Sequence, residues 1–300
     1  MYDIVILTEE RYENPKKIDW YIQQVLTEDQ ILKSALEKKG LRVIRKNWAD
    51  KKFDWSKTKY AIFRTTWDYF DKFDEFFKWI DSIKNKCELI NSFDLIKWNI
   101  DKFYLKEMQK QGINIAKTLF INQTQNISLK KLFEKTNWKE AVIKPAISGA
   151  ARHTYRINRM NLIQYEAIFQ KLISNECMLF QEFLNNILND GEISLIMING
   201  KYTHAVKKNA KYGDFRVQDD HGGKVTEYTA TQKEIDFAKK CLTAIPFNQI
   251  LYARVDIVKD NNNQLSLSEI ELIEPELWFR NYPQSADILA HEIAKLTFSK

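Results

Sequence analysis

Glycine and proline are scarce in this chain, eight and five in 300 residues, and nowhere do they gather into a low-complexity linker or mark an internal repeat. No loop has the paired glycines and lysine of a Walker motif, so a P-loop is excluded. Cys87, Cys177 and Cys241 are isolated, odd in number and without nearby histidine spacing. That leaves neither a disulfide framework nor a zinc site and points to buried thiols. No apolar run approaches the roughly 18 residues of a membrane span, and no basic region followed by an apolar stretch opens the sequence, so a cytoplasmic protein is expected. The net charge of +6 comes from lysines spread among interleaved acids, with no basic arm or stripe. Neither nucleic acid nor a membrane is therefore an expected partner, although the excess charge would help attract anionic ligands such as nucleotides. What remains, 44% hydrophobic and 29% charged residues, is an ordinary globular composition. By length the chain should form roughly two domains.

The first third alternates strand and helix. Residues 3–7 read as a strand, and Thr27 with Gln30 three residues on forms a capping box that opens a helix stopped by Gly40. Residues 41–44 and 60–63 read as strands, and 73–83 as a helix with Phe76, Phe77, Ile80 and Ile83 on one stripe. Such alternation argues a small parallel sheet that binds ligands at the carboxyl ends of its strands, and Arg64-Thr65-Thr66-Trp67-Asp68-Tyr69 lies just past one. From about Lys117 the pattern changes: strands over 140–144 and 178–183 enclose a helix over 161–173. A strand over 192–198, the turn Asn199-Gly200 and a return strand to Lys207 form a hairpin that sets Glu192 opposite Lys207. Thr231 and Glu234 cap another helix, and a helix over 285–296 follows the last strands.

Two alternating runs flank Asp260-Asn261-Asn262-Asn263, a strong turn signal. With the turn centred between Asn262 and Asn263, Asp256 faces Glu269 and Arg254 faces Glu271 on one side of the hairpin, while Val255, Ile257, Ile270 and Leu272 take the other. Carboxylates so close repel unless a cation lies between them, and oxygen ligands beside a phosphate suit Mg²⁺. An exposed hairpin with charges on its wet face fits this segment alone equally well. Lys144 ends an apolar strand before the small-residue loop that contains Ser148, Gly149, Ala150 and Ala151. Such a loop lets backbone N–H groups approach a phosphate, though an ordinary turn fits too. Gln181-Glu182-Phe183-Leu184 ends the next apolar strand, where a flat heterocycle fits, and Glu192 suits ribose hydroxyls. Either acid also reads as surface charge.

Taken in order, Asp101-Lys102 before a helix, Lys144 before its loop, Gln181-Glu182-Phe183-Leu184, Gly191-Glu192, Arg254-Val255-Asp256 and Glu269-Ile270-Glu271 resemble the ATP-grasp superfamily over nearly the whole chain. Residues 63–69, 98–102, 202–207 and 213–218, with His221-Gly222-Gly223, resemble its glutathione-synthetase-like branch, which includes the cyclo-ligase that forms cycloserine. The resemblance implies an α/β fold, α+β in its C-terminal half: a Rossmann-like substrate domain over 1–114, a central lid over 115–184, and a nucleotide and metal part over 185–300. It implies that Lys102 and Lys144 contact ATP phosphates beneath a closing loop of Ser148, Gly149, Ala150 and Ala151. Glu182, Phe183 and Leu184 would bracket the adenine, Glu192 the ribose, and Lys207 would lie against the nucleotide. Asp256, Glu269 and Glu271 would hold Mg²⁺, with Arg254 stabilising the transferring phosphoryl group or the acyl phosphate. Many relatives carry Asn where this chain has Glu271, which leaves the coordination scheme open.

The implied reaction joins a carboxylate to an amine through an acyl phosphate, with ADP and phosphate as products, on a small amino-acid-like substrate. It needs charge neutralisation, positioning and a lid against water rather than a protein nucleophile. No Ser/His/Asp or Cys/His arrangement is found in the chain. Intramolecular ring closure by the same chemistry is the nearest alternative, and a nucleotide-binding protein without ligase activity is a third. Arg216, in a glycine-flanked stretch, suits a grip on the substrate carboxylate, and His221 reads as a loop residue. Arg64 and Asp68 suit the amine or the far end of the substrate, while Trp67 and Tyr69 suit packing. The resemblance also allows a homo-oligomer, for which no interface is legible.

Overall fold

A computed structural model describes residues 1–217 and 222–298. The N-terminal part contains β1 (Tyr2–Thr8), α1 (Glu10–Glu13), α2 (Trp20–Lys38), β2 (Val43–Asn47), β3 (Thr58–Thr65), α3 (Phe73–Ile83), β4 (Glu88–Ile90), α4 (Phe93–Asn99) and α5 (Tyr104–Lys110). Its four strands form a wholly parallel sheet in the order β2-β1-β3-β4, as the strand and helix alternation predicts. The helix over 73–83 has its expected bounds, with Phe76, Ile80 and Ile83 buried, while Phe77 lies at the edge of that stripe and is exposed. The start of α2 differs from expectation. Asp19, not Thr27, caps it by accepting from Ile22 N at 2.8 Å, and the Thr27 hydroxyl donates back to Gln23 O within the helix. Gly40, at φ 80°, follows its end as expected.

The central part contains β5 (Thr118–Ile121), α6 (Leu129–Thr136), β6 (Glu140–Pro145), β7 (Tyr155–Asn158), α7 (Leu162–Asn175) and β8 (Met178–Glu182), with sheet order β5-β8-β6-β7. After α8 (Asn186–Asp190) come β9 (Glu192–Ile198), β10 (Lys201–Asn209), β11 (Lys224–Tyr228), α9 (Gln232–Thr243), β12 (Tyr252–Lys259), β13 (Leu265–Glu271) and α10 (Gln284–Phe298). The last five strands make an antiparallel sheet in the order β11-β10-β9-β12-β13. Thr231 and Glu234 form the expected capping box of α9. Among the described residues no helix is long and apolar enough to cross a membrane.

Each sheet draws its strands from one of the three expected segments, but the cores cross the boundaries at 114 and 184. Leu95, Tyr104, Leu105 and Met108 pack on the sheet of β12 and β13. Leu289, Ala290 and Ile293 of α10 return to pack with Leu32 of α2 and Ile4 of β1. Each such side chain contributes about 1.5–3 kcal/mol on burial, so shared cores fix the sheets relative to one another and define the cleft between them.

Candidate active site

The cleft is a cavity of about 1070 Å³ lined from all three parts of the chain. Its N-terminal wall comes from residues just past the carboxyl ends of β1 and β3, namely Glu9, Arg11, Trp67, Asp68 and Tyr69. This is where a parallel sheet is expected to meet a ligand. Its floor is the β12–β13 hairpin. Arg254 pairs with Glu271 and Asp256 with Glu269 in the ladder, while Val255, Ile257, Ile270 and Leu272 are buried in the core behind. The turn itself is centred on Asn262, since Lys259 pairs with Leu265, and a bulge at Ser268 restores the register at the acids.

Every acid of the floor faces a cation. Ser194 Oγ donates to Asp256 at 2.6 Å, and Arg254 Nη2 and Lys208 Nζ reach the same carboxylate at 2.9 and 3.3 Å. Burial alone would raise the Asp256 pKa, but these cations hold it below its ordinary value. Lys102 Nζ bridges to Glu269 at 2.9 Å and also donates to Ser148 O. Burial disfavours the Lys102 charge, and Glu269 outweighs it, so its pKa is raised. Glu271 also bonds Arg254, but burial, with Glu269 and Asp256 beside it, drives its pKa up. Lys144 has no ion pair or side-chain hydrogen bond among the described residues, and burial lowers its pKa. A half-buried cation without a partner is costly, which suits this lysine to an anionic ligand.

Of the expected nucleotide contacts, Lys102, Lys144, Ser148, Gly149, Ala150, Glu182, Phe183, Leu184 and Glu192 all line the cavity. The N–H groups of Glu182 and Phe183 are already bonded to Lys117 O and Glu140 O, so these two donors are taken within the fold. Phe215 stands edge-on to Phe183 at 5.9 Å, and Val142 and Val217 line the same apolar end. Lys207 is a correction. A bulge at Thr203 shifts the β9–β10 register by one residue, so Glu192 pairs with Lys208, 2.5 Å away, and Lys207 faces Ile193 on the other side of the sheet. A second correction concerns Arg64. It is 1% exposed and lies outside the cavity, where it donates to Pro275 O at 2.8 Å and stands 3.8 Å from the buried Glu28. Asp68 does line the cavity, held by Trp48 Nε1 and Lys72 Nζ, both at 2.7 Å. Arg216 lines it with its guanidinium on Asp214, and His221 lies outside the described residues.

Reading the sequence missed Glu274, Glu276 and Trp278, which line the cavity from the β13–α10 connection. The run Glu269, Glu271, Glu274, Glu276 carried a signal in its density of acids, but not in any spacing of regular structure. Asp256, Glu269 and Glu271 offer only oxygen donors, which suits a hard divalent ion. Each is bonded to a cation, and among the described residues no three acidic, histidine or cysteine groups gather about one point. Their donor chemistry suits magnesium, whereas their arrangement is that of carboxylates paired with lysine and arginine.

The loop after Lys144 rests against the N-terminal wall. A Cβ on Gly149 would lie 2.6 Å from the Phe70 ring, and Arg152 Nε reaches Asp71 at 3.4 Å. Gly149→Ala is expected to hold the loop off Phe70 at a cost of about 1–3 kcal/mol, the usual penalty of overpacking. With the loop over ATP, as the resemblance implies, steady-state kinetics should then show the KM for ATP raised about five- to a hundredfold, with the melting temperature lowered by several degrees.

Comparison with known proteins agrees with this architecture. Residues 4–91 match the family described as D-cycloserine synthetase DcsG, N-terminal domain, and residues 100–272, more than half of the chain, match the RimK-like ATP-grasp domain. The cycloserine biosynthesis protein DcsG of Streptomyces lavendulae is 22% identical over 241 residues, covering 77% of this chain and 81% of that protein. The crystal structure of D-cycloserine synthetase DcsG superposes with a TM-score of 0.86 at 20% identity, covering 98% of this chain and 99% of the other. D-alanine–D-alanine ligase from Bacillus anthracis does so with a TM-score of 0.67 at 12% identity, over 100% and 97% of the two chains. The chain belongs to the RimK-like ATP-grasp family and is an ATP-dependent ligase that forms carbon–nitrogen bonds.

Proposed function

We propose that the protein activates the carboxylate of a small amino-acid-like substrate as an acyl phosphate and passes it to an amine. A carboxylate oxygen attacks the γ-phosphorus as the bond to ADP breaks, and the amine then displaces phosphate from the acyl carbon. One observation supports this above the others. A single cavity sets Lys102, Lys144, Lys208 and Arg254 against Asp256, Glu269 and Glu271, while neither cysteine nor histidine lines it among the described residues. Such a site neutralises and positions phosphates, and among the described residues it offers no Ser/His or Cys/His pair for covalent catalysis by the protein. Bound at the carboxylates of Asp256, Glu269 and Glu271, magnesium would offset charge on the phosphates. In this reading Arg254 stabilises the transferring group, Lys102 and Lys144 hold phosphate, and the Ser148–Ala151 loop excludes water. Arg216 and Asp68 are assigned to the two ends of the substrate.

Ring closure within one substrate is the second reading. It is favoured by the match of residues 4–91 to the N-terminal domain of a cycloserine synthetase, because that segment supplies the wall facing the floor. Incubation with Mg-ATP and pooled amino acids, ureido and hydroxamate-like amino acids and small dicarboxylates tests both. ADP release with a product of the mass of substrate less water supports ring closure, and a product joining two molecules supports ligation. ATP bound but unused across all pools would remove both readings.

Lys144→Ala is expected to weaken ATP binding about ten- to a hundredfold, the worth of a charge-assisted hydrogen bond of about 1.5–3 kcal/mol. Calorimetric titration checks this, and an unaltered affinity would place the phosphates elsewhere.

A further inference from the structure

Trp278 stands in the cavity wall, 2% exposed, with a left-handed backbone at φ 47°. For a bulky residue this conformation costs about 1–3 kcal/mol and persists only where the surroundings over-determine it. They do so on both sides. His204 Nε2 donates to Leu277 O at 3.0 Å, and the N–H groups of Phe279 and Arg280 donate to the buried Glu28 carboxylate at 2.8 and 3.2 Å. The indole N–H has no acceptor among the described residues, a penalty that phenylalanine would escape. What indole offers here is its face. Arg254 Cζ lies 5.1 Å from the ring centroid and Lys208 Nζ 5.6 Å. Both cations also bond Asp256, so two like charges stand side by side between one carboxylate and one aromatic face. Of the aromatic side chains, tryptophan attracts a cation most strongly.

We propose that Trp278 is a positioning residue: its ring sets the plane of the Arg254 guanidinium and the seat of Lys208, so that both meet the phosphoryl group as it transfers. The inference rests on the ligase reading for what Arg254 does, but not for how Arg254 is held. Trp278→Phe and Trp278→Leu separate the ring face from everything else, because both keep the left-handed site and both lose the unpaired N–H. The leucine variant is expected to lower kcat for substrate-dependent ADP release at least tenfold with KM for Mg-ATP within threefold. The phenylalanine variant should return kcat to within threefold of the parent. Equal losses in the two variants, or a rise in KM that accounts for the loss, would overturn the proposal.

A second readout needs no turnover. With ¹⁵N-labelled arginine, the Arg254 Nε–H resonance is identified by its disappearance in Arg254→Lys. It should stay in place in the phenylalanine variant, but shift and exchange with water at least tenfold faster in the leucine variant. An unmoved resonance overturns the proposal even if no substrate has been found, whereas a parent protein that releases no ADP overturns only the ligase reading. Should the leucine variant not fold, Trp278→Met combined with Arg254→Lys decides, because methionine fills much of the site without an aromatic face. A combined loss smaller than the product of the two single losses supports the coupling, and the full product refutes it.

Discussion

Glutamine in place of Glu269 is expected to reduce turnover at least a hundredfold while the protein melts within a few degrees of the parent. The side chain sits on the cavity floor, with its carboxylate 2.9 Å from Lys102 Nζ and its neighbour Ile270 buried in the core behind. Glutamine has nearly the same shape, and its carbonyl oxygen still accepts from Lys102, so the interior keeps its hydrogen bond. What it loses is the negative charge assigned to magnesium, and removing one electrostatic partner of a transferring group typically costs about a hundred- to a thousandfold in kcat. Alanine would be a poorer test, because it also strips the buried Lys102 of its hydrogen-bond acceptor. ADP release titrated with magnesium makes the comparison sharp. Partial recovery at high magnesium would mark Glu269 as a ligand whose loss weakens the ion, whereas full activity at ordinary magnesium would remove Glu269 from the metal set.

How much of this site could be read from residues alone depended on regularity. The acidic hairpin shows it best. The pairs Arg254–Glu271 and Asp256–Glu269 follow from a turn centred between Asn262 and Asn263, yet the observed turn is centred on Asn262 and the bulge at Ser268 offsets the difference. The same device produced the opposite outcome in β9 and β10. There the Asn199-Gly200 turn begins the ladder as expected, with Ile198 paired to Lys201, and the bulge at Thr203 moves every later pair by one, which substitutes Lys208 for Lys207 in the cavity. Alternation of apolar and polar residues reports the face of a strand but not an inserted residue. Helix stripes and caps were legible where a side chain bonds the first turn of its own helix, as at Thr231 and Glu234. They were misleading at Thr27, whose hydroxyl is equally content to bond the carbonyl four residues back. The wall supplied by Glu274, Glu276 and Trp278 has no period at all. It is placed by tertiary bonds from β3, α2 and β10, and those are invisible before the fold is known.

Arg64 tests that last point. Its position just past the sheet edge suits a substrate contact, but burial assigns it to structure. Arg64→Ala is expected to destabilise the protein by about 3–5 kcal/mol, the usual cost of breaking a buried charge pair from one side. The guanidinium donates to Pro275 O, stands 3.8 Å from Glu28 and lies over the Phe279 ring at 5.3 Å, so two contacts to the β13–α10 connection and one to α2 end together. Glu28 then keeps Arg280 at 3.5 Å and its two backbone donors, but loses the partner inside the core. Chemical denaturation should show the loss directly. Below the new melting transition, KM for the substrates should stay within a few-fold of the parent, because Arg64 does not line the cavity. A substrate contact would give the reverse pattern, with an unchanged denaturation midpoint and a KM raised tenfold or more. Arg64→Lys sharpens the distinction. It keeps the charge beside Glu28 but not the planar group that meets a carbonyl, a carboxylate and an aromatic face together, so it should recover only part of the lost stability.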